Sequence, residues 1–124
     1  PAIVLGLIVL FWVAGFDILY ALQDLDHDRE AGLHSIPVAL GVDGSLWLAR
    51  LFHLATVIFL IWLIYLLDLG SWFWLGTAAM TTMLLYEHWL LRAGDLTRLD
   101  AAFFTMNGYI SLTFLAATAA DIFL

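Results

Sequence analysis

The chain has 124 residues, of which 65% are hydrophobic and 12% charged, and no cysteine. Its mean hydropathy of +1.01 lies far from the balance of a soluble domain. The four basic residues against eleven acidic ones, a net charge of −7, exclude a nucleic-acid-binding surface, and the missing thiols exclude disulfides and cysteine-ligated metals.

Four apolar segments follow in chain order, roughly Pro1 to Leu22, Leu46 to Leu67, Trp72 to Leu91 and Ala101 to Phe123. Each approaches the ~20 residues that a helix needs to cross a hydrocarbon core. None alternates apolar with polar as a transmembrane barrel strand does. The expected fold class is therefore all-α, a polytopic transmembrane helix bundle.

The first segment carries Gly6, Ala14 and Gly15, small residues that allow helices to approach closely in lipid. It runs directly into Asp17-Ile-Leu-Tyr20-Ala-Leu-Gln-Asp24-Leu-Asp26-His27-Asp28-Arg29-Glu30. Carboxylates at the end of a lipid-embedded helix are costly without a cationic partner. If the helix persists that far, Asp17, Tyr20, Asp24 and Asp28 return to nearly one face, because their offsets of three, seven and eleven residues fit 3.6 residues per turn. Asp24 and Asp28 stand one turn apart and can share a hard cation such as Mg²⁺, which keeps waters and takes one or two carboxylates together with phosphate oxygens. A solvated acidic loop at the membrane surface is the plain alternative.

Gly32 can end this helix, and Ser35 ahead of Ile36-Pro37 can start another short one. Asp43-Gly44-Ser45 reads as a turn into the second long helix. His53, one turn inside that helix, reads as a packing histidine. The second connection, Asp68-Leu69-Gly70-Ser71, has no basic residue, whereas Arg29, Arg50, Arg92 and Arg98 lie in or beside the first and third connections. The positive-inside rule places those two connections in the cytoplasm, with Asp121 outside. Trp47 and Trp89 fit an inner aromatic belt and Tyr65, Trp72 and Trp74 an outer one, while Trp12 and Trp62 fit neither. Glu87 and His88, at the cytoplasmic end of the third segment, read as interfacial anchors within reach of the site mouth. Asn107 is expected to make an interhelical hydrogen bond.

The pattern Asp17-x-x-Tyr20-Ala21-x-x-Asp24-x-x-x-Asp28-Arg29-x-x-Gly32-x-x-Ser35-x-Pro37 resembles the second aspartate-rich motif of the UbiA-type intramembrane aromatic prenyltransferases. The run Tyr86-Glu87-His88, Asp95-Leu96 and Ala102-Phe103-Phe104-x-x-Asn107-Gly108 is similar to the branch acting on 4-hydroxybenzoate. The resemblance covers nearly the whole chain and implies the last four of nine helices. Residues 1–124 are then the C-terminal part of a single transmembrane domain whose N-terminal half is absent, and inactive alone. The family's first motif, Asn-Asp-x-x-Asp, has no counterpart: the only asparagine, Asn107, precedes a glycine.

The resemblance implies transfer of a polyprenyl group from its diphosphate to an aromatic acid such as 4-hydroxybenzoate in quinone biosynthesis, with Mg²⁺ as cofactor. Asp24 and Asp28 are the expected metal ligands, with Asp17 and Tyr20 beside them in the catalytic set. Asp17 either orients waters or substrate or makes a structural hydrogen bond. Tyr20 either faces a carbocation with its ring or donates from its hydroxyl to a carboxylate. Arg29, whose planar fork suits phosphate oxygens, is the expected diphosphate contact, or else it snorkels to headgroups or pairs with Asp26 or Glu30. His34 and Ser35 are further phosphate donors, with helix capping the alternative for Ser35.

The implied partners are the two substrates, the bilayer and the missing N-terminal helices of the same chain. The implied location is a bacterial inner membrane, with the site facing the cytoplasm. Other acceptors within the superfamily are naphthoate, homogentisate, haem and chlorophyllide. A cation transporter is the alternative from a different class, but it would need polar residues through several helix centres, and here they cluster at the cytoplasmic ends. A structural assembly subunit gives no reason for three carboxylates on one face.

Overall fold

The computed structural model describes residues 1–22, 30–34, 36–90 and 105–124. Four long helices account for most of them: α1 (Ala2–Ala21), α2 (Ile36–Leu67), α3 (Ser71–Leu90) and α4 (Met106–Phe123). Neighbours in sequence pack side by side, α1 against α2 and α3 against α4 extensively, α2 against α3 more loosely. Among the described residues, α1 and α2 are long and apolar enough to cross a membrane. The other two carry more polar side chains. Several of their hydroxyls bond back to the carbonyl four residues earlier, Thr81 to Thr77 at 2.8 Å, Thr82 to Ala78 at 2.9 Å and Thr118 to Phe114 at 2.7 Å. A threonine satisfied within its own helix can sit in an apolar medium at little cost.

Two apolar clusters hold the helices together. The larger joins Val4 and Ile8 of α1, Leu60, Leu63 and Ile64 of α2, Phe73, Met80 and Leu84 of α3, and Ile110 and Ala117 of α4. The smaller joins Ile18, Leu19 and Leu22 to Leu46 and Ala49, at the end of the molecule where the acidic run begins. Close approach depends on small residues. Gly15 lies against the His53 ring, and a methyl at Gly76 would collide with Ala117. Gly6 has no neighbour that a methyl would meet, so of the small residues read from the sequence it is not a contact point among the described residues.

The connections follow local chemistry. Asp68 takes the left-handed conformation (φ 52°), and the Leu69 N–H reaches the Ile64 carbonyl at 2.9 Å, a Schellman ending for α2. The Gly70 carbonyl then accepts the first N–H bonds of α3, from Phe73 and Trp74, both at 3.2 Å. Asp121 accepts the Gly70 N–H at 2.9 Å through Oδ1 and at 3.1 Å through Oδ2, putting a carboxylate at the positive end of α3. At the other end, Gly32 is left-handed (φ 68°) just after the helical Glu30 and Ala31, as its composition predicts.

One boundary differs from the sequence expectation. Asp43, Gly44 and Ser45 are helical, and the break falls at Gly41, whose φ of 74° and ψ of −176° interrupt α2. Only glycine adopts that backbone readily, whereas Asp-Gly-Ser is merely compatible with a turn.

Candidate functional site

The face of α1 that packs inward carries Val4, Ile8, Gly15, Ile18 and Leu19. Asp17 follows Gly15 by two residues, about 200° around the helix, so it points away from that packing face. Tyr20, one turn on, packs instead against the Ile18–Leu19–Leu22 cluster, and its ring meets Phe16 edge-on with centroids 6.1 Å apart. Asp17 is exposed and borders a cavity of ≈ 260 Å³ whose other walls include Ala14, Ile36, Pro37 and Phe52. Pro37, buried in the first turn of α2, needs no N–H partner there and therefore closes the cavity without leaving an orphan donor. His34 is exposed after Gly32.

The remaining expected site residues, Asp24, Asp28, Arg29 and Ser35, lie outside the described residues, as do Asp26 and His27. Of the acid face, Asp17 is therefore the described carboxylate. Its carboxylate oxygens are of the kind a hard divalent cation takes. No group of three metal-ligating side chains is formed among the described residues.

A second polar region was not legible in the sequence. His53 Nε2 lies 3.3 Å from the Trp12 carbonyl, and His53 Nδ1 lies 2.7 Å from His88 Nε2. A carbonyl can only accept, so in a neutral pair His53 carries its proton on Nε2 and accepts at Nδ1 from the Nε2–H of His88. His53 is thus a fully used packing histidine that ties α1, α2 and α3 together. His88 is its partner and not an interfacial anchor.

Glu87 also departs from the expected anchoring role. It is 0% exposed, and neither carboxyl oxygen has a partner among the described residues. The spacing explains its burial, since Phe73, Thr77, Met80, Leu84 and Glu87 alternate by four and three residues and form the buried stripe of α3. Asn107 is half-buried, and its Oδ1 is unpartnered among the described residues, so the expected interhelical bond from that oxygen is not made there.

A sequence profile of the UbiA prenyltransferase family matches residues 1–110. The chain belongs to that family. Among curated UbiA-type relatives, a 4-hydroxybenzoate octaprenyltransferase of Idiomarina loihiensis is 32% identical over 85% of this chain and 36% of its own length. One of Chromohalobacter salexigens is 32% identical over 90% of the chain and 37% of its own. A solved UbiA homolog from Aeropyrum pernix K1 superposes with a TM-score of 0.80 at 29% identity, over 94% of this chain and 41% of that one. The chain therefore spans little more than a third of the curated relatives it matches. UbiA enzymes are integral to membranes and generally depend on a divalent metal. The lipid-like exterior of α1 and α2 accords with such an environment.

Proposed function

We propose that the protein to which these helices belong transfers a polyprenyl group from polyprenyl diphosphate to an aromatic acid, 4-hydroxybenzoate in the first instance, during quinone biosynthesis. The observation that carries this reading is the acid face of α1. Asp17 is exposed on the face of α1 turned away from the packed core, inside a family whose similar members bear the name 4-hydroxybenzoate octaprenyltransferase. On this reading the remaining helices of the same domain close the site.

Asp24 and Asp28 would hold Mg²⁺, and Arg29, His34 and Ser35 would contact the diphosphate. A bound divalent ion supplies neutralising charge for a departing diphosphate. Asp17, beside an apolar cavity, would accept hydrogen bonds from waters or substrate and so fix their orientation. Tyr20, whose ring meets Phe16 edge-on, would offer either its ring face to a carbocation or its hydroxyl to a motif carboxylate. The allylic carbon loses its C–O bond, the ring carbon ortho to the phenol bonds to it, and the ring proton is lost. The site is proposed to face the cytoplasm of a bacterial inner membrane, because the arginines cluster beside the connections at that end.

The test is diphosphate release by the full-length protein given polyprenyl diphosphate, 4-hydroxybenzoate and Mg²⁺, with Asp24→Asn beside it. Acceptor-dependent release that falls by at least about 100-fold in the variant is expected. No release with any aromatic acid, from protein shown to be folded, would overturn the reading and favour cation transport.

A further inference from the structure

The loose seam between α2 and α3 encloses a cavity of ≈ 340 Å³. It is distinct from the Asp17 cavity: Phe52 of α2 borders that one, whereas Arg50, Leu54 and Val57 on another flank of the helix border this one. Leu54, Val57, Leu84 and Leu85 make its long walls apolar. Of its polar neighbours, Thr81 has donated its hydroxyl to Thr77, His53 is occupied by Trp12 and His88, and His88 keeps an Nδ1 with no partner among the described residues but carries no fixed charge. Arg50 is different. Its guanidinium lies over the Trp47 ring, 5.2 Å from the centroid, and among the described residues it forms no ion pair. An arginine brings five N–H donors in a planar fork suited to phosphate oxygens.

The surroundings fix the depth and the direction of opening. Trp47 is 63% exposed and Trp89 51%, and Tyr86 stacks on Trp89 with centroids 6.1 Å apart, so the cationic end lies in a belt of interfacial aromatics. Leu51, Leu54, Ile58, Trp62 and Leu85, on the adjoining surface, are exposed and apolar. A cation at headgroup level continuing into an apolar slot matches the two parts of an anionic phospholipid. The groove is open along Leu54 and Leu85, so an acyl chain can enter it from the side.

We propose that the α2–α3 groove binds an anionic phospholipid of the bilayer, its phosphate on Arg50 and one acyl chain along Leu54, Val57, Leu84 and Leu85. The occupancy is independent of which aromatic acceptor the protein uses.

The test uses the full-length protein in mixed micelles of phosphatidylglycerol and phosphatidylcholine, read by native mass spectrometry. Wild type is expected to retain phosphatidylglycerol about fivefold over phosphatidylcholine. Arg50→Gln is expected to equalise the two, and Leu54→Trp, which fills the slot, to lower retention of both. Inorganic phosphate is expected not to displace the lipid. A bimane label on Leu85→Cys is expected to be quenched by doxyl-labelled phospholipid in bilayers. An unchanged preference in Arg50→Gln, complete displacement by inorganic phosphate, or a label shielded from doxyl lipid would each overturn the proposal. The last of these would mean that another part of the protein covers the seam.

Discussion

Gly15 and His53 share one space, and the absence of a side chain on α1 is what admits the imidazole between α1 and α3. A methyl there collides with the ring itself, not with the free end of a flexible chain, and the ring is held on both nitrogens. Gly15→Ala is therefore expected to destabilise by about 1–3 kcal/mol, seen as a lower thermal midpoint in detergent, while Gly6→Ala, which meets nothing, stays within ~0.5 kcal/mol. A double-mutant cycle of His53→Leu and His88→Leu is expected to show a coupling of about 1 kcal/mol, and additivity would deny the bond between them. The glycine was legible as a small residue in a lipid-facing helix, and His53 as a packing histidine. Their partners were not, because contacts across 35 or more residues leave no local pattern. Glu87 was misread for a related reason. Its charge suggested the membrane surface, whereas its register with Phe73, Thr77, Met80 and Leu84 places it inside.

At the scale of elements, hydropathy located all four helices, because apolar runs near bilayer length are the strongest signal a membrane chain carries. The ends are set by finer chemistry. Gly32 was legible from its type, but Gly41 competed with Asp43-Gly44-Ser45 for the same break, and the winner was the position needing a positive φ. Gly41→Ala is expected to cost about 1–2 kcal/mol for the left-handed backbone it imposes on a residue with a Cβ, measured by thermal unfolding. The cap on α3 comes from 51 residues away, where Asp121 takes the Gly70 N–H, and no nearby residue announces it. Asp121→Ala should lower stability by about 1 kcal/mol, and Asp121→Asn by less, since an amide oxygen still accepts but brings no charge to the helix dipole. Equal losses in the two variants would show that charge at the α3 terminus contributes nothing beyond the hydrogen bond.

Across the whole molecule, the two ends differ in charge more than in hydropathy. Among the described residues, one end holds the Schellman turn, the Asp121 cap and no arginine, and the other holds Gly32, His34 and Arg50, with Arg29 and Arg92 adjoining its helices in sequence. Asp17 is exposed on the side of α1 away from the cluster formed with α2, so on the proposed reading the facing wall of the site comes from elsewhere in the protein. A motif is a spacing along the sequence and can be read there, whereas an enclosed substrate cavity depends on packing between helices, and the chain spans little more than a third of its curated relatives. The orientation can be read independently of activity. Single cysteines placed at Ser71 and at His34, in a full-length background with no other cysteine, lie at opposite ends of α2. If the arginine-rich end is cytoplasmic, a membrane-impermeant maleimide labels Ser71→Cys in intact spheroplasts and labels His34→Cys only after the membrane is opened. The reverse pattern would place the aspartates on the outer side, and a diphosphate substrate made in the cytoplasm would then have no direct route to them.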